Sequence, residues 1–243
     1  MFLRQIRFYG SKSKKQSVVD EYLRRQSSDY YSRLAKEHNY RARSAFKLLA
    51  INEKHKVINP GDVVVDIGAA PGSWSQVAAE LVFGEGSQGI VTGRPSESRK
   101  GYVLGVDIQP ISSLPNIDFI GQGDITRRST HERIQKKLAG RLVNAIISDM
   151  APNPTGDHYT DHLRIIELCR LLFRLAFIQD DSDCPPVLPL AADGRFLCKV
   201  FDGKLTTDFA AELGTKFKSV QIVKPLASRE TSSEKYLLAK GIR

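Results

Sequence analysis

"VVVDIGAAPGSW", Val63 to Trp74, changes character twice. Val63 to Ile67 is an unbroken, mostly β-branched run, the pattern of a strand buried on both faces. Gly-Ala-Ala-Pro-Gly interrupts it with a turn of small residues, and "SWSQVAAELV" continues from Ser73 as a helix. A buried strand passing through a glycine turn into a helix is the repeating unit of an α/β domain, and the flanking sequence repeats it.

Upstream, residues 28–56 read as a helical segment with Ala45, Phe46, Leu48, Leu49 and Ile51 as its buried stripe, and Asn59-Pro60-Gly61-Asp62 is a turn. Downstream, further strands are predicted at Tyr102–Val106, Ile117–Ile120, Val143–Ser148 and Phe196–Val200, with helices at 130–139, 160–178 and 205–214. Alternating strands and helices predict a parallel, doubly wound, Rossmann-like α/β sheet. The tail differs: strands at 219–223 and 236–239 have no helix between them and predict an antiparallel addition at the sheet edge. Two turn-rich segments, 84–101 and 180–193, read as surface insertions.

With 243 residues the chain can bury one substantial core. No apolar run approaches the length of a membrane span. Cys169, Cys184 and Cys198 fit neither a zinc pattern nor a disulfide framework. The net charge of +9 is unevenly spread: residues 1–56 hold 14 of the 36 Lys/Arg and 5 of the 27 Asp/Glu, which leaves 22 of each sign beyond. A basic arm on a neutral body suits a polyanion such as RNA, although a solvated tail has the same composition. Residues 1–19 carry Arg4, Arg7, Lys12, Lys14 and Lys15 with no acid, as a mitochondrial presequence does. The predicted organisation is therefore a presequence (1–19), a basic helical segment (20–56) and a catalytic or binding domain (57–243).

Gly68 and Gly72 allow the turn to approach a ligand closely, but Gly-x-x-x-Gly is not the pyrophosphate-binding Gly-x-Gly-x-x-Gly. That departure and the two lysines discussed below oppose an NAD-dependent oxidoreductase. Three acids follow successive strands. Asp107 can accept both hydroxyls of a ribose, Asp124 an adenine amino group, and Asp149 closes "AIISD" before the stiff loop "MAPNPTG". Each acid alone reads equally well as a loop or helix cap. Together at strand ends they describe a pocket for a cationic ligand bearing ribose and adenine, namely S-adenosylmethionine. His158 and His162 lack the glutamate of a metalloprotease motif, and no metal is expected. Trp74 could stack on RNA bases; so could Tyr30, Tyr31 and Tyr40, unless they pack against the sheet.

"VVVDIGAAPGSWSQ", "GDI", "ISDMAPNPTG", "FLCKVF" and "SSEKYLLA" together resemble the FtsJ (RrmJ) family of RNA ribose 2′-O-methyltransferases, with the similarity running from Arg41 to Lys240. The resemblance implies a class I S-adenosylmethionine-dependent methyltransferase fold. It also implies a catalytic tetrad at Lys47, Asp149, Lys199 and Glu234. Cofactor contacts are implied at Pro71, Gly72, Ser73, Trp74, Asp107, Asp124 and Asp149, beside the Gly68 turn. Ser73 stands where the family often has glycine. The presequence-like start points to the mitochondrial branch, acting in the matrix on large-subunit ribosomal RNA or a pre-ribosomal particle, with a uridine as target. A transfer RNA or cap methyltransferase, or an RNA-binding assembly factor with little catalysis, are the alternatives.

The chemistry explains the residue types. A ribose hydroxyl attacking a sulfonium methyl must be aligned with the S–CH₃ bond and must lose its proton. A lysine can take that proton where burial and a neighbouring ammonium disfavour its own charged form. Lys199, at the end of an apolar strand, is the expected contact of the hydroxyl.

Overall fold

The computed structural model describes residues 30–84, 101–177, 185–225 and 233–243. They build one sheet from β1 (Val63–Ile67), β2 (Tyr102–Val106), β3 (Asp118–Ile120), β4 (Val143–Ser148), β5 (Leu190–Phe201), β6 (Phe217–Val223) and β7 (Glu234–Ile242). The helices are α1 (residues 30–37), α2 (Ala45–His55), α3 (Ser73–Phe83), α4 (Arg128–Leu138), α5 (His158–Phe177) and α6 (Lys204–Gly214). No helix among the described residues is long and apolar enough to cross a membrane.

The sheet order is β3-β2-β1-β4-β5-β7-β6. β1 to β5 pair in parallel, and β7 runs antiparallel to both β5 and β6. The antiparallel tail thus stands at the predicted edge, and the last strand inserts between β5 and β6 instead of closing the sheet. Successive strand residues point to opposite faces, so each apolar run feeds two cores. Ile146, Phe196, Cys198 and Leu237 pack with α4, α5 and α6 through Ile134, Ile166, Leu172 and Phe209. Ala145, Ile147, Leu197 and Leu238 pack with α2 and α3 through Leu48, Ile51, Val77 and Ala78. Where both faces are covered, as in β1, β2 and β4, the strands carry no polar alternation.

Two predicted elements differ. The helix expected across 28–56 is two helices. Asn39 takes the left-handed conformation (φ 58°), with its N–H on Lys36 O (3.2 Å) and that of Tyr40 on Ala35 O (2.7 Å). This is a Schellman ending with asparagine in the usual glycine position. The 180–193 insertion is also shorter than predicted at its C-terminal end. Leu190 already pairs with Val143 and β5 regains register at Arg195, leaving residues 191–194 as a bulge. The buried Arg195 holds this irregularity through Asp62 (2.5 Å) and Asp193 (2.6 Å). Most of the 84–101 insertion, Cys184 and residues 1–29 lie outside the described residues.

Phe196 is fully buried and faces Phe217 at 6.4 Å between ring centroids. Phe196→Ala should lower the unfolding free energy by about 3–5 kcal/mol, as measured by urea denaturation.

Candidate active site

Strand parity determines which side chains can meet. Asp149 continues the Ala145–Ile147 side of β4, and Lys199 the Leu197 side of β5; both sides face α2 and α3. Across the antiparallel β5–β7 pair, Lys199 lies opposite Tyr236, Leu197 opposite Leu238 and Phe201 opposite Glu234. Directly opposed residues share a face, so Lys199, Tyr236 and Glu234 emerge together beneath α2, which carries Lys47.

The four predicted catalytic residues therefore converge. Lys47 Nζ is 2.7 Å from Glu234 Oε1. Lys199 Nζ donates to the Asp149 carbonyl oxygen at 2.6 Å and lies 3.2 Å from Asp149 Oδ1. Tyr236 joins the two pairs: its hydroxyl donates to Asp149 Oδ1 at 2.7 Å and lies 3.3 Å from Glu234 Oε1. Burial, and then the charges of Asp149 and Glu234, push the Tyr236 phenol well above its usual range, which keeps it a donor. The sequence reading did not include Tyr236. Its signal was an aromatic residue two positions after Glu234, hence on the same face.

The glycine turn lies at the C-terminal end of β1. Gly68 (φ 83°) has no room for a side chain, since a Cβ there would come 2.2 Å from Met150 Cγ. Gly72 (φ 113°) caps α3 from a left-handed conformation. Asp107 Oδ2 accepts the Ala70 N–H at 2.9 Å and Oδ1 accepts that of Gln109 at 2.7 Å. Among the described residues no lysine or arginine pairs with Asp107, and each of its oxygens retains a lone pair for a hydroxyl. Asp124 is a cap in the way its bland reading anticipated: Oδ1 accepts from Thr126 N and Oγ1 at 2.9 and 2.7 Å. Its Oδ2 is 3.6 Å from Arg127 Nε.

Beneath the turn lies a residue the sequence reading passed over inside a β-branched run. Asp66 is completely buried; its Oδ2 accepts from Ser75 Oγ at 2.6 Å, and its Oδ1 has no partner among the described residues. Desolvation, with the nearby charges of Asp149 and Asp107, raises its pKa to about 7. A glycine cradle and an Asp107 carboxylate held by backbone donors alone fit a cationic ligand with a ribose diol.

Some expectations about side chains change. Trp74 is 2% exposed, stacks on Tyr236 at 5.7 Å and donates from Nε1 to Ser44 O at 2.8 Å. Its ring belongs to the core and cannot stack on a base. Ser73 Oγ is engaged with Ser44 Oγ at 2.8 Å. Tyr31 and Tyr40 pack around Phe46 of α2, with Tyr30 edge-on to Tyr31, and Tyr40 also packs against the core cluster shared by α2, α3 and the sheet. His162 is buried against Thr206 Oγ1 at 3.0 Å. Loop 151–157 is exposed apart from the half-buried Pro152, and Asp161 Oδ1 ties it down by accepting from Thr155 N and Oγ1, both at 2.7 Å.

A family profile for FtsJ-like methyltransferases matches residues 40–242. The chain is 42% identical over 233 residues to the mitochondrial rRNA methyltransferase 2 of Caenorhabditis elegans, covering 96% of this chain and 99% of that one. It is 40% identical over 220 residues to the ribosomal RNA large subunit methyltransferase E of Acinetobacter baumannii, covering 90% of each. A solved structure described as a ribosomal RNA methyltransferase from Plasmodium falciparum has the same fold, with a TM-score of 0.65 at 24% identity over 84% of this chain and 98% of that one.

The position of Asp66 has a pH signature. Its folded pKa of about 7 lies above the ordinary 3.8, so between these values the folded state keeps a proton that the unfolded state has lost. Stability should therefore fall as pH rises through this window. Asp66→Asn, which retains an acceptor for Ser75, should remove that decline. Urea unfolding at pH 4 to 8 checks this; parallel profiles for the two proteins would mean that Asp66 ionises normally.

Proposed function

The chain belongs to the FtsJ-like methyltransferase family, and from that premise we propose that it methylates the 2′-hydroxyl of a ribose in RNA, using S-adenosylmethionine. The proposed substrate is a uridine of mitochondrial large-subunit ribosomal RNA, free or in a pre-ribosomal particle, and the proposed site of action is the mitochondrial matrix. The names of the relatives and the basic, acid-free first nineteen residues support the compartment and the RNA class. The single observation that carries the reaction is the convergence of two lysines and two carboxylates around Tyr236.

Gly68, Pro71, Gly72 and the backbone of Ser73 and Trp74 would hold the cofactor from the turn, with Asp107 on its ribose and Asp124 toward its adenine. S-adenosylmethionine supplies an electrophilic methyl group on a sulfonium. The chain's own residues do the rest. Lys199 Nζ, aimed by the carbonyl and carboxylate of Asp149, orients the ribose hydroxyl and accepts its proton in the reactive form. Lys47, fixed by Glu234, sets the ribose from the α2 side and adds positive potential. Tyr236 keeps both carboxylates in place by donating to Asp149 beside Glu234. Loop 151–157, with its prolines, forms a stiff border to the pocket after Asp149.

The decisive experiment incubates the purified protein with methyl-tritiated S-adenosylmethionine and a large-subunit rRNA transcript, then separates the nucleosides after digestion. Label is expected in a 2′-O-methyl nucleoside; label in a methylated base would overturn the ribose assignment. Lys199→Ala should reduce transfer by about 10²–10⁴-fold while calorimetry shows S-adenosylmethionine still binding. Tyr236→Phe, which keeps the ring on Trp74, should lower kcat by roughly tenfold, the effect of one lost hydrogen bond to a charged group, without a change in melting temperature that depends on the cofactor.

A further inference from the structure

We infer that Arg41 is the latch of the cofactor cleft, a positioning residue that binds the two cofactor loops together from the N-terminal segment. This rests on the reading above that the glycine turn and Asp107 hold S-adenosylmethionine.

The guanidinium of Arg41 donates from Nη1 to Pro71 O at 2.9 Å and to Ser112 O at 2.8 Å, and from Nη2 to Ser113 O at 3.0 Å. Pro71 lies in the turn after β1, and Ser112–Ser113 in the loop that follows Asp107 after β2. Both loops leave the C-terminal ends of the paired strands β1 and β2, the edge of such a sheet at which ligands bind. Asp107 joins them at a second point by accepting the Ala70 N–H. On its far side the 107–114 loop is tied to the next one, since Gln122 N–H donates to Gln109 O at 3.3 Å. The loop is thus held from one flank by β3's exit and from the other by Arg41.

Arg41 is itself anchored. Gln76, buried on α3, accepts the Arg41 backbone N–H at 2.8 Å and donates to Asn39 O at 3.0 Å. The left-handed turn at Asn39 delivers the chain to this clamp. Gly72 completes the fit, because a Cβ there would come 2.9 Å from Arg41 Nη1. A guanidinium suits this position because its planar fork serves several carbonyl oxygens at once, which an ammonium on a flexible stem does less well. Six residues further on, the same segment carries Lys47 into the tetrad. Closure of the cofactor loops and placement of Lys47 are therefore mechanically linked, and the latch slows cofactor exit.

The test compares wild type, Arg41→Ala and Arg41→Lys in binding of S-adenosylmethionine by calorimetry, in its dissociation rate, and in melting temperature with and without it. Arg41→Ala should bind about tenfold more weakly through faster dissociation, with KM for S-adenosylmethionine rising by more than kcat falls. Arg41→Lys should recover part of the loss. Equal affinity and dissociation rate in wild type and variant would overturn the latch, as would a lower melting temperature of the free protein with an unchanged cofactor-induced shift, which marks a fold contact alone. If Arg41→Ala fails to fold, Arg41→Lys decides by the same criteria. Wild type that binds no S-adenosylmethionine would sink the cofactor reading and the latch with it, whereas binding that is indifferent to Arg41 sinks the latch only.

Discussion

Lys199 and Tyr236 face each other across the antiparallel β5–β7 pair, and the rest of the site follows from that register. It brings Glu234 to the same face two residues away and points Tyr236 at Asp149, which follows β4 on that same face. A slip of one residue would turn Glu234 and Tyr236 toward α4, α5 and α6 and leave Lys47 without its carboxylate. The register is secured by packing on both sides: Leu238 meets the α2–α3 core and Leu237 the opposite one, while Trp74 stacks on Tyr236.

Electrostatics accounts for the asymmetry between the two halves of the site. In the half proposed for catalysis each lysine has a carboxylate, and Tyr236 supplies a neutral donor beside both of them. In the half proposed for the cofactor Asp107 has backbone donors but no described cationic partner, and Asp66 is buried with one oxygen unsatisfied among the described residues. This arrangement, one unneutralised carboxylate above a buried oxygen without a described partner, costs stability in the protein alone. It is the arrangement expected where a cationic ligand completes the charge, and it gives Arg41 a role at the rim, contacting carbonyl oxygens instead of neutralising an acid.

The N-terminal segment joins these halves. Asn39 ends α1 and Gln76 grips the chain on either side of Tyr40, after which Arg41 reaches the loops that follow β1 and β2 and α2 delivers Lys47. Its charge had suggested an RNA-binding arm or a solvated tail. The described part of it is packed against the glycine turn and α3, through Phe46, Tyr40 and the Ser44 contacts to Ser73 and Trp74.

From residue order alone one could read the alternating strands and helices, the glycine turn, the acids at strand ends and, through family resemblance, the tetrad. These features are local: β-branched runs, glycines and prolines declare their conformation within a few residues. The ending of α1 was less plain because asparagine, not glycine, occupies the left-handed position. The bulge in β5 was hidden because its pairing with β4 is not local. Trp74 looked like a stacking surface until burial placed its ring in the core, and Asp66 was lost in a valine run. Tertiary structure alone decided that Tyr236 bridges the carboxylates and that Arg41 spans two loops. Both depend on which distant strands and loops become neighbours, and with both sheet faces apolar no alternation in the sequence reports that register.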